Sequence, residues 1–387
     1  MPVKVISTEN KPIKLWLQDI DDAALEQAKN IANLPFAFRH VAIMPDAHVG
    51  FGMPIGGVLA THEAVVPNAV GVDIGCGMCA LRTELPSLHK ADLKVIHQRI
   101  KALIPVGFDH HETKQDENLM PEMDTGMKIV SQEYESALYQ IGTLGGGNHF
   151  VEIQQGSDGH IWIMIHSGSR NIGYKVAEYY NQKAIELNQK YYSVIKKEWQ
   201  LAFLPMNTDH FKNYLLEMQF CVDFALANRK LMMERVKQAF SETLGKISFD
   251  RFINIAHNYA RWEHHFGHNV IVHRKGATSA KAGETGIIPG SQGTKSYIVE
   301  GLGNPESFQS CSHGAGRVLG RKEAQRQLSL KKEIENLDRQ GILHSICDVE
   351  DLDEAPSAYK DIDLVMENQK DLVRILAELK PLAVLKG

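Results

Sequence analysis

The sequence predicts an α+β fold with mixed sheets, and three observations carry that expectation. From about 41 to 82, short β-branched runs are separated by Gly and Pro, as in Gly56-Gly-Val-Leu-Ala-Thr61 and Ala69-Val-Gly-Val. This is the pattern of strands joined by tight turns. Residues 174 to about 245 contain few glycines and many Lys, Glu, Leu, Met and Gln, which predicts two or three long helices. Strand-like runs then return at 252–257, 270–273 and 296–299.

The remaining elements follow in order. Residues 19–33 read as a helix opened by an acidic first turn. Helical patterns occupy 91–103 and 125–137, and strands are expected near 150–154 and 161–166. Helical patterns near 317–337 and 361–378 close the chain. No repeat, low-complexity tract or clear linker interrupts it. Candidate site residues lie on both sides of 174–245, so that block reads as a helical insertion in a single domain spanning 1–387.

At 387 residues the chain can bury a sizeable core. Hydrophobic content of 43% and charged content of 23% are ordinary for a globular protein. No apolar run approaches the roughly 20 residues of a membrane span, and the N-terminus lacks the order of a secretory signal. No membrane association is expected, and the cytoplasm is the expected compartment. Five unevenly spaced cysteines argue against a disulfide framework. A net charge of −5 creates no global attraction for nucleic acid, so positive charge for a polyanion must be concentrated locally.

The richest chemistry lies in Val70-Gly-Val-Asp73-Ile-Gly-Cys76-Gly-Met-Cys79. Three later histidines, His149, His166 and His257, each sit beside or just past an apolar strand-like run. Together with Asp73 and Cys76 they supply one oxygen, one sulfur and three nitrogen donors. That set suits a borderline divalent ion such as Mn, Fe, Co or Zn, and a bridging thiolate would let five donors serve two ions. Each histidine taken singly could equally be a satisfied core residue. Cys76-Gly-Met-Cys79 is also a C-x-x-C, but no second one occurs and no redox-motif context surrounds it. Cys79 is expected to point into the core.

A second constellation is Ser310-Cys311-Ser312-His313-Gly314-Ala315-Gly316-Arg317, followed by Arg321. Gly-Ala-Gly before a helical pattern would aim free N–H groups and a helix dipole at an anion. Arg317 and Arg321 would share one face of that helix. His313 at the mouth of such a nest could attack phosphorus, or it could be structural. Val272-His-Arg274-Lys275-Gly276 and Pro289-Gly290-Ser291-Gln292-Gly293-Thr294 are weaker signals, and neither is a Walker A sequence.

Taken together, these segments resemble the RtcB family of RNA-splicing ligases, the 3′-phosphate RNA ligases. The motifs carrying the resemblance begin at Met44-Pro-Asp46-Ala-His48-Val-Gly50 and include Val70-Gly-Val-Asp73-Ile-Gly-Cys76 and Gly145-Gly-Gly-Asn148-His149-Phe-Val-Glu152. They continue through His166-Ser-Gly-Ser-Arg170, Ala256-His257-Asn258, His273-Arg-Lys275-Gly, Pro289-Gly-Ser291, Cys311-Ser-His313-Gly-Ala-Gly-Arg317 and Leu385-Lys386-Gly387. The resemblance implies an RtcB-like fold, with sheets around a central metal-containing cleft flanked by helices. It implies two Mn ions bridged by Cys76, one completed by His166 and His257 and the other by Asp73 and His149. His313 would form a guanylyl-histidine with GTP as co-substrate. Asn148, Glu152, Asn258, Pro289, Ser291, Ala315, Gly316, Tyr359 and Lys386 would surround the nucleotide. Arg170, Lys275, Arg317 and Arg321 would contact RNA phosphates. The implied reaction joins a 2′,3′-cyclic phosphate or 3′-phosphate RNA end to a 5′-hydroxyl end, in tRNA splicing or RNA repair, with an archease-like activator as a further expected partner. The nucleotide loop carries Gln292 where family members usually have Met. Rival readings are a metal-dependent cyclic phosphodiesterase and a non-catalytic protein that binds RNA ends.

Overall fold

The computed structural model describes residues 1–191 and 193–387. Two large sheets organise the chain. The first runs in the order Lys4–Ile6, Ile13–Leu15, Ala37–His48, Ile55–Thr61, His268–Lys275, Asn258–His265. Its pairing of Ile13–Leu15 with Ala37–His48 is parallel, which makes this sheet mixed. The second is antiparallel and runs Phe249–Ala256, Gly77–Thr83, Ile161–Ser167, Phe150–Gly156, Val373–Lys386, Ser296–Gly301, Thr285–Ile288. The expected α+β class with mixed and antiparallel sheets is what the chain adopts.

Side-chain alternation decides what each face of the second sheet meets. Along Ile161–Ser167, the residues Ile161, Ile163 and Ile165 pack with Leu93, Ile96 and Ile100 of the helix Lys90–Leu103 and with Met232, Met233 and Val236 of the helix Asp209–Leu244. Trp162 and Met164 face the other way, onto Met78, Ile287 and Ile298. His166 continues this second series, so the period of two puts it on the face away from the helices. Cys79 joins the helix-covered side and is fully buried, as expected.

The two sheets meet at His257. The strand Phe249–Ala256 belongs to one sheet and Asn258–His265 to the other, so the chain changes sheet at that residue. Gly77 lies opposite Ala256 in register, and the His257 N–H donates to the Cys76 carbonyl at 2.8 Å.

Four element expectations need correction. Ala69-Val-Gly-Val is not a strand, because a short 3-10 helix over Pro67–Ala69 runs straight into the turn that carries Asp73. The helix expected over 361–378 stops at Asn368, and Val373–Lys386 is a 14-residue strand. It is held between Ser296–Gly301 and Phe150–Gly156, so pairing on both edges overrides the helix-forming Ala, Glu, Leu and Lys within it. The pattern at 317–337 breaks into Arg321–Gln327 and Leu330–Gln340. Arg317 therefore lies outside the helix and bridges to Tyr359 instead of sharing a face with Arg321. The strand Asn258–His265 was not expected at all.

Candidate active site

The donors expected to hold metal converge at the sheet junction. Cys76 Sγ lies 3.3 Å from His166 Nε2 and 3.5 Å from His149 Nε2. His166 Nε2 lies 3.4 Å from His257 Nε2, and His149 Nε2 lies 3.2 Å from Asp73 Oδ2. Two overlapping groups result, Cys76–His166–His257 and Asp73–Cys76–His149, each with ligand atoms within 4.8 Å of one another. The cluster is thus able to hold a metal ion, and the shared sulfur allows two. The turn that delivers Asp73 and Cys76 is tight. Gly75 adopts φ +74°, and a Cβ there would lie 2.8 Å from Val222 Cα of the long helix.

Electrostatics fit the same use. Burial, with His149 nearby, keeps the His166 imidazole well below its usual pKa; burial and then His313 do the same for His257. Both rings are therefore neutral and carry a free lone pair, the form that ligates metal. Burial followed by the Asp73 charge pushes the Cys76 thiol upward, so a cation is needed to make it a thiolate. His166 Nδ1 donates to the Asn148 carbonyl at 3.0 Å, which leaves Nε2 for the cluster.

His313 stands beside this group, its ring 4.8 Å centroid to centroid from that of His257. It lines a cleft of about 550 Å³ together with His166, Asn148, Glu152, Pro289, Ser291, Ala315, Gly316, Tyr359, Lys386, Arg317 and Arg321. Of the residues expected around a nucleotide, Asn258 alone lies off this cleft. Its amide ties the Asp73 carbonyl to the Gly276 N–H.

The expected anion nest is partly occupied by the protein itself. Asp46 Oδ2 accepts from the main-chain N–H groups of His313 and Gly314, at 3.0 and 3.2 Å. The helix begins only at Arg321, so its dipole does not start at Gly316. The expected RNA contacts are also engaged. Arg170 donates to Thr143 Oγ1 and the Gly107 carbonyl, at 2.9 and 2.8 Å. Lys275 is buried and donates to the carbonyls of Phe51 and Asn68; burial lowers its pKa to about 7.

Three residues absent from the expected set organise the site. Asp46 holds His313, and its Oδ1 is buried without a partner among the described residues. Its place among apolar neighbours in Val41-Ala-Ile-Met-Pro-Asp46-Ala was a usable signal, because a charge there demands a partner. Glu354 gathers Arg317 at 3.0 Å, Arg321 at 3.2 Å, Lys386 at 3.7 Å and the Tyr359 hydroxyl. Arg229, fully buried on the long helix, donates to the carbonyls of Gly75 (3.0 Å), Ser167 (2.7 Å) and Ile255 (3.2 Å) and to Asn254 Oδ1 (2.8 Å). Glu354 sits in a charged run that reads as solvated surface and Arg229 in an ordinary helical stretch, so nothing in the sequence marks them.

Comparison with known proteins finds relatives along the whole chain. The family model described as tRNA-splicing ligase RtcB matches residues 27–134 and 120–387. The RNA-splicing ligase RtcB of Escherichia coli K12 is 40% identical over 415 residues, covering 100% of both chains. The tRNA-splicing ligases RtcB of Nanoarchaeum equitans and Thermococcus kodakarensis are 32% and 31% identical, covering 98% and 95% of this chain and 96% and 91% of theirs. Among the described residues, no helix is long and apolar enough to cross a membrane. On the matched length and the convergence of its motifs, this chain belongs to the RtcB family.

Proposed function

We propose that this protein is an RNA ligase that joins a 3′-phosphate or 2′,3′-cyclic phosphate end to a 5′-hydroxyl end, using GTP and Mn²⁺. The observation that carries the reading is the dyad of His313 and Asp46 in a nucleotide-sized cleft beside the Cys76 cluster. An ionised Asp46 has no proton to give, so Nδ1 of His313 is the donor and Nε2 keeps the lone pair. Nε2 attacks the α-phosphorus of GTP, the bond to the β-phosphate breaks, and pyrophosphate leaves. Water opens a cyclic end, breaking the bond from phosphorus to the 2′-oxygen, and the resulting 3′-phosphate oxygen takes GMP from the histidine, giving an RNA-3′-pp-G end. The 5′-hydroxyl oxygen attacks the 3′-phosphorus, and GMP departs.

Two divalent ions held by Asp73, Cys76, His149, His166 and His257 would polarise phosphoryl oxygens and offset their charge. Glu152 and Asn148 would meet the guanosine, while Ser291, Tyr359 and Lys386 would close around it. Arg317 and Arg321 would exchange Glu354 for phosphate, and Arg170 and Lys275 would support the loops that border the RNA.

The test is direct. Purified protein with Mn²⁺ and α-labelled GTP should form an acid-labile, alkali-stable protein adduct, and His313→Ala should lose it. Absence of any adduct in the wild type removes this reading. Opening of cyclic phosphates by His313→Ala, with no joining by the wild type, would favour a phosphodiesterase instead.

A further inference from the structure

A second cavity, of about 380 Å³, shares a bordering loop with the reactive cleft and takes no part in the steps above. It is within the size range of small-molecule sites, about 300–1,000 Å³. Its walls come from the helix Arg170–Lys190, the segment around Gln200 and Leu201, and the loop that holds Phe51. That same loop faces both spaces, because Val49 lines the reactive cleft and Phe51 lines the second cavity. Both side chains are exposed, at 46% and 54%, large values for apolar groups beside a polar cleft. We propose that this cavity receives an unpaired nucleobase of the RNA strand whose end is being joined, a proposal that rests on the ligase reading.

Chemistry favours a base over an apolar ligand. The wall carries five side-chain amides, among them Asn181, Gln189 and Gln200, alongside Ile185 and Leu201. Amides present a donor and an acceptor side by side, the arrangement that reads base edges, while flat apolar surface supports the ring. Among the described residues the Oδ1 of Asn181 is buried with no hydrogen-bond partner, a cost that a ligand donor would remove. Charge points the same way. Among the described residues, the lining includes Lys196 and Lys197 and no carboxylate, in a chain whose net charge is −5. A phosphodiester backbone is the polyanion such a mouth suits.

The wall is also held under strain. Gln200 adopts φ +58°, in the left-handed region that a residue with a Cβ rarely enters. Its carbonyl accepts from Asn68 Nδ2 at 2.8 Å, and a Cβ on Gly52 would lie 2.7 Å from that oxygen. Loop and wall are thus locked against each other. Strained backbone that its surroundings hold in place is concentrated at binding surfaces.

RNA ends carrying 2-aminopurine at each of the first several positions test the idea, with Ile185→Trp to fill the cavity and Asn181→Leu to remove the amide. One position near an end should brighten on binding wild type, as its base leaves its stacked neighbours, and should stay dim in both variants. The KM for RNA should rise about tenfold to a hundredfold, the loss expected for one base contact. The GTP-dependent adduct, which needs no RNA, should form in both variants at the wild-type rate. Fluorescence and KM that ignore both substitutions overturn the proposal. So does binding of an apolar dye in the cavity that RNA fails to displace, which would assign it to an apolar partner. A wild type without adduct defeats the ligase reading, and the fluorescence result then stands on its own.

Discussion

Asp46 Oδ2 lies 2.6 Å from His313 Nδ1, and the same oxygen accepts the main-chain N–H groups of His313 and Gly314. Burial would raise this carboxyl, but the facing His313 ring, helped by His48 and Lys360, holds it below its usual pKa. A buried carboxylate that stays ionised fixes both the tautomer and the orientation of the imidazole. The loop geometry adds to this. Gly316 adopts φ +75°, and a Cβ there would lie 2.1 Å from the Asp46 carbonyl, so the His313 loop closes directly onto the Asp46 strand.

Asp46→Asn should therefore slow adduct formation far more than it weakens nucleotide binding. The two main-chain N–H groups keep the amide oxygen in place, so it still accepts from Nδ1, but without charge it no longer offsets the positive charge the ring gains as Nε2 attacks. A loss of about 10²–10⁴-fold is expected, by analogy with an orienting carboxylate in a catalytic triad. Single-turnover labelling with GTP measures it, and equilibrium binding of GTP should stay within a few-fold. A labelling rate near wild type would show that Asp46 is only a packing residue.

Legibility in the sequence followed local pattern and failed where tertiary contact decides. His166 could be placed from alternation alone, because Ile161 to Ile165 are a clean run and the sixth residue must continue it. The strand Val373–Lys386 was hidden because its residues favour helix and its two neighbours are remote in sequence. The donors were readable as residue types beside glycine turns. Their supports were not: Arg229 and Glu354 have ordinary neighbours, and only the folded chain shows that one is fully buried and the other 3% exposed.

Arg229 joins three segments that carry the clustered donors, since it binds the carbonyls next to Cys76 and His166 and one two residues before His257. Arg229→Met keeps much of the volume and leaves those carbonyls without a donor. Stability should fall by about 3–5 kcal/mol, as for one partner removed from a buried charged network. Metal affinity should fall about 10–100-fold, the usual effect of losing a group that orients ligands. Calorimetric titration with Mn²⁺ on material shown to be folded by circular dichroism separates the two effects. Unchanged affinity in a folded variant would confine Arg229 to a structural role.

Glu152 gives the site a pH signature. Burial raises its carboxyl to about 8, above the unfolded value near 4.5, so the folded protein holds an extra proton between those limits. Stability from this group is complete below about 4.5 and is lost as pH rises toward 8. A guanine edge offers two N–H donors that need the carboxylate, so GTP binding should release a proton near neutrality and tighten with pH. Glu152→Gln should flatten the fall in melting temperature between pH 5 and 8. It should also narrow the preference for GTP over ATP by about tenfold or more. Buffer-dependent calorimetry of GTP binding reads the proton, and no difference between buffers would refute the assignment.

Glu354 opposes the site's cations while the nucleotide is away. Burial works against its charge, yet Lys386 and Arg317 keep the carboxyl below its usual pKa. Glu354→Gln preserves the shape but leaves Arg317, Arg321 and Lys386 around a neutral amide. Two effects then compete. Loss of the carboxylate beside the mostly buried Arg317 and Lys386 should cost the free protein about 3 kcal/mol, whereas phosphate entering the cleft no longer has to displace a carboxylate. The second effect returns part of the first only when nucleotide is bound. GTP should therefore raise the melting temperature of Glu354→Gln by more than it raises that of the wild type, with both measured at the same saturating concentration. An equal or smaller shift would mean that the nucleotide never shares these cations with Glu354, and that the carboxylate serves only to fold the loop that carries it.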